Sequence, residues 1–112
     1  MAEKLPLEIS CQVVKAKLDA NDDFVLIDCR EEDEYATVCI AAAKLFPMSQ
    51  LMAKAAELEP FREFEVVVHC HHGGRSMQVT RWLRQQGFIK AQSMTGGIDA
   101  WAAEIDTSLT RY

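Results

Sequence analysis

Residues 64–87 read FEVVVHCHHGGRSMQVTRWLRQQG, and this stretch decides the fold. FEVVVHC (64–70) is a continuous apolar run rich in β-branched residues, the pattern of a strand buried on both faces of a parallel sheet. HHGGR separates it from a helix over about 76–86 whose Val79, Trp82 and Leu83 share one face, with Gly87 as its stop. A strand, a tight turn and a helix in succession are the repeating piece of an α/β sheet.

The same alternation extends in both directions. Upstream, FVLID (24–28) is a second short apolar strand following the Asn21–Asp23 turn, and it delivers Asp28 to its carboxyl end. Residues 7–9 form a short strand, and Ser10 caps a helix over about 11–20 with Val14 and Leu18 inward. EEDEY (31–35) opens a short acidic helix whose carboxylates favour its N-terminal dipole. Lys44–Phe46 is a strand before Pro47. Residues 49–59 read as a helix, with Leu51, Ala55 and Leu58 on one side and Pro60 as its end. Downstream, Lys90–Met94 is a weaker strand, and Gly96 and Gly97 turn the chain into a helix carrying Ile98, Trp101, Ala102 and Ile105 inward. Trp82 and Trp101 read as core, and TSLTRY (107–112) as a segment that covers an edge or frays. The expected architecture is α/β, a largely parallel central sheet of about five short strands with helices on both faces. Ligands in such sheets bind beyond the carboxyl ends of the strands, where Asp28–Arg30 and Cys70–Arg75 both fall.

Composition sets the outer bounds. At 112 residues the chain is expected to be a single domain spanning 1–112. Twelve basic against seventeen acidic residues give a net charge of −5, a field that repels nucleic acid and anionic membranes. MAEKLPLEIS lacks the apolar core of a leader peptide, and no apolar run approaches the roughly 18 residues that span a bilayer, so a cytoplasmic location is expected. Cys11, Cys29, Cys39 and Cys70 have no CxxC spacing. In a cytosolic chain they read as buried small hydrophobes or reactive thiols, not a disulfide framework.

HCHHGGRS (69–76) carries the chemistry. A cysteine that ends a strand, two glycines, and a helix opening at Ser76 put the sulfur where backbone N–H groups and the helix dipole converge, and Arg75 adds a fixed positive charge. Such surroundings bring cysteine pKa values from about 8.5 into the range of roughly 3.5 to 7.5. Cys70 is therefore the candidate nucleophile. A metal site is the competing reading, because His69, Cys70, His71 and His72 are all ligand types. Adjacent residues on an extended chain point to opposite faces, so completing a tetrahedral shell would require Cys29 or Cys39. No metal and no organic cofactor are expected. All three histidines lie in this stretch, so no distant His is available for a Cys/His pair; His69 reads as strand, and His71 and His72 as rim. A phosphate cradle is the third reading, since His, Cys, five residues, Arg and Ser or Thr is the cysteine-phosphatase signature. Here four residues separate Cys70 from Arg75, which shortens the loop by about 3.5 Å and suits a sulfur atom better than a phosphate.

Taken together, DCREEDEY (28–35), HCHHGGRS (69–76) and TGGIDAW (95–101) resemble the three motifs of the single-domain rhodanese family of thiosulfate sulfurtransferase-like proteins, in the same order and nearly end to end. The resemblance implies a ping-pong transfer in which the Cys70 thiolate takes the outer sulfur of a small donor such as thiosulfate. A Cys70 persulfide then hands that sulfur to cyanide, a thiol or a sulfur-carrier acceptor. It further implies that His71, His72, Gly73, Gly74, Arg75 and Ser76 form the substrate cradle. Arg30 would contact substrate and Asp28 would support it, although an ion pair that only fixes two loops is an equal reading for these two. Alternatives of other classes are a sulfur-relay or binding module with little thiosulfate activity, and a cysteine phosphatase or arsenate reductase of the same fold. Two departures stand out. Cys39 and Ala42 fall where related sequences often carry His and Gly, and Cys29 falls where an aliphatic residue is common. If the Cys29 side chain faces Cys70, it is placed to resolve the persulfide or form a regulatory disulfide; otherwise it is an inert buried thiol.

Overall fold

A computed structural model of the chain describes residues 5–112, so that the first four residues of the leader reading lie outside the described residues. Five strands alternate with helices: β1 (Glu8–Ile9), α1 (Cys11–Asp19), β2 (Phe24–Asp28), α2 (Glu32–Thr37), β3 (Lys44–Leu45), β4 (Glu65–His69), α3 (Gly74–Gln85), β5 (Ala91–Met94) and α4 (Gly97–Glu104). The strands form one sheet in the order β1-β5-β4-β2-β3, and every pairing is parallel. The expected α/β sandwich is thus present, with a sheet that is parallel throughout.

The apolar runs explain the layering. Successive side chains on a strand point to opposite faces, so Val25 and Ile27 of β2, with Cys29 just beyond it, join Val66 and Val68 of β4, with Cys70 just beyond it, on one side. Val79 and Leu83 of α3 and the Leu51 and Leu58 side chains cover that side. Leu26 and Val67 point the other way, into a second cluster with Val14 of α1 and Ile98 and Trp101 of α4. Each large aliphatic side chain buried this way contributes about 1.5–3 kcal/mol. Ser10 caps α1 as its sequence position implies, its Oγ accepting from the Val13 N–H at 3.2 Å.

One element departs from expectation. Residues 49–59 do not form an α-helix; the segment is two 3-10 stretches, Met48–Gln50 and Ala55–Phe61, and Pro60 lies inside the second. Proline lacks an N–H and its ring clashes with the carbonyl four residues back, so the α-helical ladder cannot run through this turn. Tighter i→i+3 bonds form in its place, such as Glu57 N–H to Lys54 O at 3.0 Å. Leu51 and Leu58 still reach the core, while Ala55 is only half-buried. No helix among the described residues is long and apolar enough to cross a membrane.

The register of the two central strands positions the site. Phe24 pairs with Glu65 and Asp28 with His69, so β2 and β4 end level with each other. Cys29 and Cys70 therefore stand abreast just beyond the strand ends, with the Cys29 N–H donating to His69 O at 3.0 Å.

Candidate active site

The loop after β4 turns on Gly73, whose φ of +117° is left-handed and open to glycine at low cost. That turn aims the Gly73 N–H at Cys70 Sγ, 3.0 Å away, and the first turn of α3 brings the Ser76 N–H to 3.3 Å. The Ser76 hydroxyl lies 3.4 Å from the same sulfur. It also sits 2.7 Å from the Ser93 hydroxyl of β5 and 3.1 Å from Gly73 O. Gly74 has no comparable need for its missing side chain, since a Cβ there would meet nothing within 4 Å.

The amides point inward because the loop carbonyls are held from the other side. Ile98 N–H donates to Cys70 O at 2.8 Å and Asp99 N–H to His71 O at 3.1 Å, both from the first turn of α4. Gly97, at φ +60°, backs directly onto these two carbonyls; a Cβ there would lie 2.5 Å from His71 O and as close to Cys70 O. The GGIDAW motif thus clamps the loop that carries Cys70.

These donors act on a sulfur that is only 1% exposed. Burial alone raises a thiol pKa, yet the Cys70 thiol is pulled from 9.0 down to about 4. The largest cause is the Cys29 S–H donating to it, followed by the Ser76 hydroxyl and the two amides. Cys29 shifts oppositely: donating to Cys70, burial and the neighbouring negative charge all hold its own proton on. One sulfur of the pair is ionised and the other is not.

Arg75 does not close the loop against the sulfur. Its guanidinium makes a two-pronged ion pair with Glu34 of α2, at 2.7 and 2.9 Å, while remaining close enough to feel the Cys70 charge. Glu34 is drawn down to about 2, first by Arg75. It also accepts from the Tyr112 hydroxyl at 2.8 Å. The Tyr112 ring stacks on His71 with centroids 3.8 Å apart, and His71 stacks on His72 at the same distance. The end of TSLTRY therefore folds over the cysteine loop.

Arg30 and Asp28 fall on the opposite side of the sheet from Cys70, as their even positions beside odd Cys29 require. Arg30 is fully buried; its Nε and Nη2 donate to the Asp28 carboxylate, and its remaining donors go to Val38 O, Glu34 O and the Tyr112 hydroxyl. With every direction engaged inside the protein, this arginine acts as a tie between β2, α2 and Tyr112, and the substrate contact expected of it is not available in this geometry. His69 is also buried beside Asp28, 3.9 Å from its Oδ2, and burial lowers its pKa. Cys29 and Cys39 join no histidine in a ligand set. The group that does gather is His71, His72 and Asp99, with ligand atoms within 4.8 Å of one another, although Arg111 already occupies Asp99 at 3.1 Å.

Residues 10–104 match the model of the rhodanese-like domain family. The chain belongs to the rhodanese-like family. Among its relatives are a rhodanese-like/PpiC domain-containing chloroplast protein of Arabidopsis thaliana and the thiosulfate sulfurtransferase GlpE of Coxiella burnetii. The first is 39% identical over 95 residues, covering 81% of this chain but 31% of that protein's length. GlpE is 35% identical over 86 residues, covering 77% of this chain and 78% of its own length. The crystal structure of a rhodanese-like domain protein from Staphylococcus aureus superimposes with a TM-score of 0.80 at 27% identity, covering 96% of this chain and 99% of that one.

Glu34, Tyr112 and Ser93 were not legible as site residues. The acidic run 31–34 reads as a solvated helix start. A signal for Glu34 did exist, since it is the helix position whose carboxylate faces back across the motif toward Arg75. Nothing local marks Tyr112 or Ser93, which reach the loop only through the tertiary fold.

Proposed function

We propose that this rhodanese-like protein is a sulfurtransferase that moves a sulfane sulfur from thiosulfate, or from a persulfide donor, to a nucleophilic acceptor through a persulfide on Cys70. One observation carries the reading: the N–H groups of Gly73 and Ser76 point at Cys70 Sγ from fixed positions, with the Ser76 hydroxyl 3.4 Å from the same atom, and stand in place of water around a thiolate there. Preorganised donors of this kind stabilise a negative sulfur without reorganising as it reacts.

In the first half-reaction the Cys70 thiolate attacks the outer sulfur of thiosulfate. A new S–S bond forms to Cys70, the old S–S bond breaks, and its electron pair leaves on sulfite. The negative charge now rests on the outer sulfur of the persulfide, about 2 Å further into the loop. In the second half-reaction cyanide or a thiolate attacks that outer sulfur, and the electron pair of the broken bond returns to Cys70. In this reading His71, His72, Gly73, Gly74, Arg75 and Ser76 form the cradle for that sulfur, and neither half-reaction calls for a metal or an organic cofactor. Arg30 and Asp28 act as positioning residues: through Glu34 and Tyr112 they set where Arg75 and His71 stand.

The test is thiocyanate formation from thiosulfate and cyanide by wild type and Cys70→Ser, with intact mass after thiosulfate treatment alone. Wild type is expected to gain one sulfur atom and to turn over; Cys70→Ser is expected to do neither. Equal rates overturn the reading, and hydrolysis of an aryl phosphate that depends on Cys70 would replace it with the phosphatase reading. Slow thiosulfate turnover beside rapid uptake from a protein persulfide would assign the protein as a sulfur relay.

A further inference from the structure

Transfer through Cys70 needs no bond to Cys29, yet Cys29 is a second thiol in the same buried cluster as Cys70. The two residues continue adjacent parallel strands from the paired positions Asp28 and His69. Neighbouring strands run about 4.8 Å apart, inside the Cα separation of roughly 4.4 to 6.8 Å that a disulfide spans. Both side chains lie on the same face of the sheet, in the same buried cluster. The other two cysteines are directed elsewhere: Cys11 donates to Thr95 O at 3.6 Å, and Cys39 is half-buried beside Ile40 and Trp101 of the opposite cluster.

We propose that Cys29 is a resolving thiol that discharges an unspent Cys70 persulfide as sulfide, closing a Cys29–Cys70 disulfide. This rests on the persulfide reading above and adds to it a second fate for the bound sulfur. The step balances without an outside oxidant. Cys29 Sγ attacks Cys70 Sγ and forms the new S–S bond. The bond between Cys70 Sγ and the outer sulfur breaks, and its electron pair leaves on that sulfur. The Cys29 proton goes with it, so hydrosulfide departs. The sulfane sulfur is reduced to sulfide, and the two cysteine sulfurs are oxidised to the disulfide. A dithiol reductant then restores both thiols.

The charge distribution supplies the timing. While Cys70 is a thiolate, its negative charge keeps the proton on Cys29 and the pair unreactive. Loading moves that charge from Cys70 Sγ to the outer sulfur, which weakens the hold on the Cys29 proton and turns Cys70 Sγ into an electrophile. Cys29 thus becomes competent only after sulfur has been taken up. An acceptor that arrives promptly receives the sulfur; without one, the protein releases sulfide and locks itself.

The full chain is loaded with thiosulfate under argon, freed of excess donor, and left without acceptor while intact mass is followed under non-reducing conditions. In wild type the species one sulfur heavier is expected to give way to one lighter than the untreated chain by two hydrogens, with one sulfide released per chain. Proteolysis should then yield a peptide pair joined between residues 29 and 70, and dithiothreitol should restore the original mass. Cys29→Ser and Cys29→Ala are expected to keep the added sulfur and release no sulfide. The proposal is overturned if wild type keeps its sulfur as long as these variants do, or if the disulfide joins Cys70 to Cys11, Cys39 or a second chain. Should the variants fail to fold, the wild-type time course and the peptide map decide alone. A wild type that never gains sulfur overturns the persulfide reading itself, an outcome distinct from a sulfur gained and retained.

Discussion

Removing the donors to Cys70 one at a time, by Ser76→Ala and Cys29→Ala, and then both together, measures how the acidity of this thiol is built. A hydrogen bond to a charged group contributes about 1.5–3 kcal/mol, equivalent to roughly one to two pKa units. Starting from about 4, each single variant should titrate near 5 to 6 and the double variant near 6 to 8, by the same conversion. The sign follows from which form reacts. The thiolate is the nucleophile, so lowering its pKa extends reactivity to lower pH, and reactivity is lost as pH falls through that pKa. At neutral pH both single variants remain mostly thiolate, whereas the double variant straddles ionisation and loses rate there. The assay is the rate of Cys70 alkylation by iodoacetamide against pH, read on the Cys70 peptide so that Cys39 does not contribute. A wild-type midpoint near that of a free thiol would refute the reasoning, as would a double variant that titrates with wild type.

Gly97→Ala places a Cβ against the Cys70 and His71 carbonyls at a left-handed φ; the strain and overpacking together should cost about 2–5 kcal/mol. Thermal unfolding measures that loss, and Cys70 alkylation should slow in the fraction still folded. Arg30→Met leaves the Asp28 carboxylate buried without its partner, and urea unfolding should show a loss of about 3–5 kcal/mol; a variant as stable as wild type but weaker only in thiosulfate KM would restore Arg30 to the substrate. Glu34→Gln frees Arg75 and costs about 1 kcal/mol or less, since the pair is partly exposed. Its expected signature is thiosulfate turnover that becomes more salt-sensitive as the released guanidinium samples the loop.

The fold was legible because each strand is a short apolar run set between turn signals, and the five expected strands are the five observed. The segment after Pro47 was misread because Leu51, Ala55 and Leu58 suit a helical face, while the backbone conflict at Pro60 weighs on the four residues before it. In the candidate site, the convergence of a strand end, a two-glycine turn and a helix start on Cys70 was readable from the local sequence, whereas the cradle roles of Gly73 and Ser76 came from the family resemblance. Arg30 was assigned to substrate from its motif, although strand parity places it with Asp28, away from odd-numbered Cys29 and even-numbered Cys70 across the register. Parity together with the pairing of Asp28 and His69 shows that Cys29 faces Cys70, and that pairing is a tertiary fact no single segment states. The ties from Ile98, Asp99 and Tyr112 span many residues in sequence and carry no local mark.

The carbonyl clamp from α4 has a consequence for biosynthesis. Cys70 is translated well before Ser93 and before the Ile98 and Asp99 amides that orient its loop. Until those later residues emerge and dock, the carbonyls whose tethering aims the loop amides at the thiol are unheld. A ribosome-bound chain therefore carries Cys70 without its full set of oriented donors, and the rate at which this thiol is alkylated should report completion of the native state.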